Sequence, residues 1–368
     1  MLELPPLSLY IHYPWCVKKC PYCDFNSHEG EDRDGYISAL LADLDTDLSY
    51  VQGRSIHSIF IGGGTPSLMT EQDLSQLFNG LKSRLVFDNN IEITLETNPG
   101  TFEIDKFKAF KEIGINRLSI GVQSFNNQNL QALGRIHNAY EAGKACTQAA
   151  KIFDNFNIDL MYGLQGQSID ECLADLQQAV DLNPTHISFY QLTIEPNTLF
   201  SKFPPKLPAD DDIWTMGEVG VKLLESHGFN RYEVSAFGKK PSRHNLNYWE
   251  FGDYIGIGAG AHGKITLAKD SSMIRTLKSK APKDYIQNRK KTTEHIENLA
   301  FEFMLNALRL KNGFDSVLFL SRTGQSMDDI ANQIQQATTA GLLKAQADKI
   351  IPTKKGYDFL NDLQSYFL

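Results

Sequence analysis

The feature that most constrains the fold is an alternation. Through the first two hundred residues, short apolar, β-branched runs take turns with longer amphipathic stretches. Six runs stand out: 8–14 (SLYIHYP), 56–62 (IHSIFIG), 91–97 (IEITLET), 117–123 (RLSIGVQ), 157–162 (NIDLMY) and 186–193 (HISFYQLT). Each is closed by Gly, Pro, Asn or a polar residue, as strands are. Between them, 33–51, 70–84, 104–113, 139–153 and 168–182 read as helices. Thr70 with Asp73, and Ser168 with Glu171, supply helix-start signatures, a hydroxyl cap with an acid three residues on. Such alternation predicts parallel βαβ units, as an open barrel wall or a doubly wound sheet. The unusual residues fall at strand C-terminal ends, where a barrel keeps its site. They are CVKKCPYC after the first strand, GGGTPS after the second, Glu96 and Asn98 at the third and Gln123 at the fourth. The expected class is α/β, a partial (β/α)6 TIM-like barrel.

From about Lys202 the rhythm changes. Prolines cluster in FPPKLP, a helix is expected over 211–227, and 229–263 is rich in Gly, His and aromatics. Residues 264–291 carry nine Lys or Arg against two Asp, a local net of +7. The end reads as helices followed by two short strands, a small winged-helix-like α+β domain. We therefore expect three parts: 1–205 with the barrel, 206–291 as its extension, and 292–368 as the C-terminal domain. A DNA-binding role for the last is disfavoured, because it holds seven basic against nine acidic residues.

The whole chain carries a net charge of -8, so no nucleic-acid partner is expected. The start, MLELPPLSLYIHYP, has no basic n-region and no long apolar core, so no signal peptide is expected. No run approaches the roughly 18 apolar residues of a membrane span. The expectation is a cytoplasmic protein, with any contact at the inner membrane peripheral, through the cations of 264–291.

Five Cys are present, and Cys16, Cys20 and Cys23 form C-x3-C-x2-C. An odd number with three so close argues for a metal or redox site in a reducing compartment. A structural zinc wants four ligands, which His12 or His28 could complete. An iron–sulfur cluster held by three Cys leaves one iron open to a ligand. Cys146 and Cys172 lie in expected helices and read as small core residues.

The Cys spacing, with Tyr22 before the last Cys, resembles the signature of the radical S-adenosylmethionine (SAM) superfamily. LSLYIHYPWC, FIGGGTPS, ETNPGT, LSIGVQSF, LGRIH, IDLMYGLQGQ and YEVSAFG resemble the oxygen-independent coproporphyrinogen oxidase group more narrowly. Two features resemble its haem-chaperone branch. Phe25 stands where the oxidases resemble C-x3-C-x2-C-x-C, and His244-Asn245-x-x-Tyr248-Trp249 matches an HNxxYW motif. The cluster motif also begins early, with no long N-terminal arm to enclose a porphyrinogen.

The resemblance implies a [4Fe–4S] cluster on Cys16, Cys20 and Cys23, with the amino and carboxylate groups of SAM on the open iron. It assigns Gly63, Gly64 and Thr65 to the methionine moiety, through exposed N–H groups, and Glu96 to SAM polar groups. Gln123, Arg135 and Asp159 match further cofactor contacts; Asp159, a charge in a buried strand, needs a partner, and Arg135 is a candidate. Tyr10 and Tyr22 would pack on SAM or the cluster. His244 is the implied axial ligand of haem, oriented by Asn245, with Tyr248 and Trp249 against the macrocycle. The implied partners are haem, respiratory haem-acceptor proteins and a haem donor protein, and a homodimer is open. The function implied is haem delivery, without coproporphyrinogen dehydrogenase activity. The alternative is an oxygen-independent coproporphyrinogen III dehydrogenase that uses an adenosyl radical, and a zinc-stabilised DNA-binding regulator is a third class.

Overall fold

The computed structural model describes every residue except Met1, Glu31, Asp32, Phe102, Glu103 and Ala347. Its centre is one twelve-stranded sheet. In chain order the strands are β1 Leu7–Tyr13, β2 Ile56–Gly63, β3 Phe87–Thr97, β4 Arg117–Gln123, β5 Phe156–Tyr162 and β6 His186–Gln191. Then come β7 Asn230–Glu233, β8 Ala236–Gly238, β9 Asp253–Ile257, β10 His262–Leu267, β11 Ser272–Lys278 and β12 Lys291–His295. Their spatial order is β12-β11-β10-β9-β1-β2-β3-β4-β5-β6-β8-β7. β1 to β6 pair in parallel, one after another, as the alternation predicts. The sheet is open; among the described residues, its β7 end is met only by an isolated antiparallel bridge between Glu233 and Leu310.

A seventh parallel strand, β9, pairs with β1 from the far side. The sequence reading left it inside a Gly- and aromatic-rich stretch. Its run, DYIGI, is only five residues long, and two short strands and the helix Arg243–Trp249 stand between it and the long helix Asp210–Ser226 that follows β6. β10 to β12 then continue the sheet in antiparallel fashion.

Period-two patterning separates the two faces of the parallel wall. Leu9, Ile11, Ile59, Ile61, Leu95, Ile120, Ile158 and Ile187 pack in one core with Leu40, Leu44, Leu77 and Phe78 of the covering helices. Cys146 and Cys172 belong to that core, as expected. The alternate positions are polar and hydrogen-bond to each other across strands. Ser8 meets Ser58 at 2.8 Å, Asn157 donates to Ser119 at 2.8 Å, and His186 meets Asn157 at 2.7 Å. Parallel strands in a filled barrel are apolar on both faces. Here the inner face is a polar lumen, which requires internal partners or a bound ligand. Both expected capping boxes form, and Asn138 with Glu141 and Ser326 with Asp329 make two more.

The C-terminal part has its own apolar core, with Phe303, Phe314, Phe319, Leu343, Ile350 and Leu363. Its small sheet holds Phe314–Asp315, Lys349–Pro352 and Leu343–Gln346, one short strand more than expected.

The basic segment is not the solvated face its composition suggests. Lys278 is fully buried against Asp43 and Asp47, and Lys291 lies 2.6 Å from the same Asp47. Lys264 is buried 2.9 Å from Asp253, and Arg275 pairs with Glu302. Four acids from outside the segment thus take up four of its seven excess positive charges. Burial opposes ionisation of Asp253, yet Lys264 and Arg54 hold its carboxyl below the ordinary value.

Candidate functional site

The cluster loop leaves β1 at Tyr13. Trp15–Cys16 pairs with His28–Glu29 in a short parallel ladder, which pinches the loop shut. The glycine turn after β2 holds it from below. The Gly64 N–H donates to the Tyr13 carbonyl at 2.7 Å, and the Thr65 N–H to the Trp15 carbonyl at 2.8 Å. A Cβ on Gly64 would come within 2.5 Å of the Trp15 carbonyl oxygen, so the turn requires glycine there. Gly63 has φ +112°, and its N–H donates to Glu96 Oε2 at 3.0 Å. The N–H groups of Gly63, Gly64 and Thr65 are therefore engaged within the protein, contrary to the expectation of free donors.

Cys16, Cys20 and Cys23 are free thiols that line one cavity of about 460 Å3. Thr65 Oγ1 lies 3.6 Å from Cys16 Sγ, and Ser27 Oγ 3.8 Å from Cys23 Sγ. Arg135 donates to Cys20 Sγ at 3.5 Å and to the Gly121 carbonyl at 2.6 Å. Burial opposes its charge, but Tyr22 and Cys20 hold the guanidinium more basic than usual. Gln123 sits at the end of β4 with φ +70°, rare for a residue with a Cβ, and accepts from the Tyr190 hydroxyl at 2.7 Å. Asp159 accepts from Asn157 at 2.7 Å and from Ser119 at 3.1 Å. Burial pushes its carboxyl up against those bonds. The suggested Asp159–Arg135 pair does not form, because Arg135 turns to the cluster loop while hydroxyl and amide donors satisfy Asp159.

Tyr22, Gly63, Gly64, Thr65, Glu96, Gln123, Arg135 and Asp159 all line the thiol cavity. Tyr10 does not; its hydroxyl meets His12 Nδ1 at 2.9 Å in a second cavity. Ser119, Ser188 and Tyr190 also line the first. The sequence reading missed them, although they share strand parity with Arg117, Asp159 and His186. Burial pushes Glu96 up to about 7, the Gly63 N–H pulls it down and Asp159 adds to the rise.

The donor set suits a cluster better than one zinc. Among the described residues, no three His, Cys, Asp or Glu side chains converge on a single-ion position. Thiolates that each hold a different iron of a cluster are spaced more widely. His12 is no fourth ligand: its nitrogens meet Tyr10 and the Asn26 carbonyl, each at 2.9 Å. Bound here, a cluster would supply one-electron chemistry to a ligand on its open iron.

The second cavity, of about 920 Å3, shares Cys23, Asp24, Phe25, Ser27, Gly63 and Glu96 with the first. Tyr248 and Trp249 line it, on the helix Arg243–Trp249. His244 and Asn245 line neither cavity. His244 is 1% exposed, with Nδ1 2.9 Å from Ser58 Oγ and Nε2 2.9 Å from the Tyr248 hydroxyl. Burial, aided by Arg117 and His57, lowers its pKa to about 3. An axial role would break one of these buried hydrogen bonds. Ser58 and Tyr248 orient His244, where the sequence reading gave that task to Asn245.

Comparison with known proteins agrees with this geometry. Residues 10–179 match the model of the radical SAM superfamily, and 296–359 match the HemN C-terminal domain. The chain is 49% identical over 377 residues to the haem chaperone HemW of Escherichia coli (strain K12), covering 100% of both. It is 32% identical to the haem chaperone HemW of Bacillus subtilis (strain 168), covering 98% of this chain and 99% of that one. The crystallised coproporphyrinogen III oxidase of Escherichia coli superposes with a TM-score of 0.84 at 22% identity, over 99% of this chain and 90% of that one, and so shares the fold. With full-length identity at this level, the chain belongs to the HemW haem-chaperone family of the radical SAM superfamily.

Proposed function

We propose that this protein binds haem beside a SAM-liganded [4Fe–4S] cluster and delivers the haem to respiratory haem proteins. The observation that carries the reading is the shared wall. Cys23 to Ser27, Gly63 and Glu96 separate a three-thiol polar cavity from a larger, aromatic- and cation-lined one. The first suits a cluster with SAM; the second has the volume and flat aromatic walls that a macrocycle needs. In this scheme Cys16, Cys20 and Cys23 hold the cluster. Tyr22, Gly63, Gly64, Thr65, Glu96, Gln123, Arg135 and Asp159 surround SAM, with Tyr10 behind Glu96. Tyr248 and Trp249 bound the haem cavity, and His244 fixes Tyr248. The division into 1–205, 206–291 and 292–368 belongs to the same proposal.

Phe25 favours chaperone over dehydrogenase, since it is exposed on the cluster loop where a fourth thiol would stand. Anaerobic reconstitution tests the choice, with iron, sulfide, haem binding and coproporphyrinogen turnover measured on one sample. Haem binding without turnover is the expected result, and turnover would replace this reading with the enzyme. Cytoplasmic residence is part of the proposal; no helix of the described residues is long and apolar enough to cross a membrane. Peripheral contact with anionic lipid rests on Lys269, Lys280, Lys283, Arg289 and Lys290, which have no ion pair among the described residues. Co-sedimentation with anionic vesicles at rising salt tests that contact, and size-exclusion chromatography with light scattering tests for a homodimer.

A further inference from the structure

Three histidines line the larger cavity: His12, His28 and His262. An axial haem ligand must present an unengaged imidazole nitrogen to open space. His12 fails, because both nitrogens are bonded and the ring is buried. His28 is held by Asn26 Oδ1 at 3.2 Å and by the Lys280 backbone. His262, at the start of β10, is exposed, and its ring makes no hydrogen bond among the described residues.

Its surroundings match the rest of a haem. Tyr248 and Tyr254 stand together in the same cavity, rings 4.6 Å apart and nearly perpendicular. Both Arg275 and Lys280 also line it and act electrostatically on His262. Lys280 has no acid partner among the described residues, so its ammonium can take a carboxylate. The site is tied to the cluster loop, because Asn26 Nδ2 donates to the carbonyls of Ala259 and Lys280, each at 2.8 Å.

We propose that His262 is the axial iron ligand of the bound haem, with Lys280 receiving a propionate. The assignment rests on the haem-binding reading above and moves ligation out of the HNxxYW helix to β10. That helix then supplies a wall, through Tyr248 and Trp249, rather than the iron ligand.

The test titrates haem into the anaerobically reconstituted full-length protein and into its His262→Ala, His244→Ala and Lys280→Glu variants. Electron paramagnetic resonance and Soret difference spectra report the ligand; iron content and thermal melting report cluster and fold. Because the His262 ring holds no hydrogen bond, His262→Ala is expected to melt like the wild type with unchanged iron. It is expected to lose the axial-nitrogen signature, to bind haem about tenfold or more weakly, and to recover the signature with added imidazole. Lys280→Glu is expected to weaken haem several-fold through its charge, with the ligand spectrum unchanged. A wild-type spectrum in His262→Ala overturns the inference and leaves haem binding standing. So does loss of the nitrogen signature in His244→Ala protein that is still folded by circular dichroism and keeps its iron content. Wild-type protein that takes up no haem would instead refute the proposed function itself.

Discussion

Lys278 anchors the antiparallel half of the sheet to the first helix, and its removal makes a sharp test. Its ammonium is buried against Asp43 and Asp47, 2.7 Å from the latter. Asp47 keeps a second cation, Lys291. Asp43 keeps only the Tyr285 hydroxyl at 2.6 Å and the Gly258 N–H at 3.3 Å. Lys278→Met preserves length and deletes charge, leaving Asp43 a buried carboxylate with no counter-ion. It must then bind a proton to stay buried. Against an unfolded pKa of about 3.9, at about 1.4 kcal/mol per unit, that costs up to about 4 kcal/mol at pH 7 and about 1.5 kcal/mol at pH 5. The figure agrees with the roughly 3–5 kcal/mol typical of breaking one side of a buried ion pair. The sign follows from a folded pKa raised above the unfolded one: the penalty is full at high pH and shrinks as pH falls toward the unfolded value. Urea unfolding at pH 7 and pH 5, followed by circular dichroism, reads both numbers. Adding Asp43→Asn removes the stranded acid and should restore much of the loss. A loss below about 1 kcal/mol at pH 7, or one that does not shrink at pH 5, would refute the reasoning.

Other outcomes follow from the site. Alanine at Cys16, Cys20 or Cys23 should abolish iron uptake in anaerobic reconstitution, while Cys146→Ala, in the outer core, leaves iron content unchanged. With Glu96 near 7, the carboxylate fraction falls about tenfold from pH 8 to pH 6. SAM affinity by calorimetry should fall in parallel, and Glu96→Gln should bind weakly at both pH values with no slope. His244→Ala strands the Tyr248 hydroxyl, leaves Ser58 with Ser8 alone and opens a buried cavity, and should cost about 2–4 kcal/mol in urea unfolding even without haem. A loss within error would mean that His244 is not held as described.

The barrel wall was legible because its signal is local. Burial on one side of each strand writes period two into five or six residues, and capping boxes write helix starts into four. β9 escaped notice because its partner, β1, lies about 240 residues away and five residues carry too little pattern. The cluster cysteines were legible because one loop holds all three. Ser188 and Tyr190 could have been found by extending strand parity through H-I-S-F-Y-Q, which places them on the lumen side with His186. The HNxxYW motif marked an important helix but misplaced its roles, since a motif does not say which side chains meet a cavity. His244 points into a hydrogen-bonded pocket, while Tyr248 and Trp249 reach the open space.

By itself, the sequence determined the parallel wall, the three-thiol loop, the glycine turn beneath it and the family. Each depends on residues close in the chain, where spacing maps directly onto geometry. Tertiary structure alone decided which charges are neutralised and which imidazoles are free. The +7 of the basic segment is largely internal, because Lys278 meets Asp43 across 235 positions. Likewise His262 is open and His244 closed because of neighbours brought from distant strands. Desolvation and pairing are properties of the folded neighbourhood, and charge counts along the chain do not carry them.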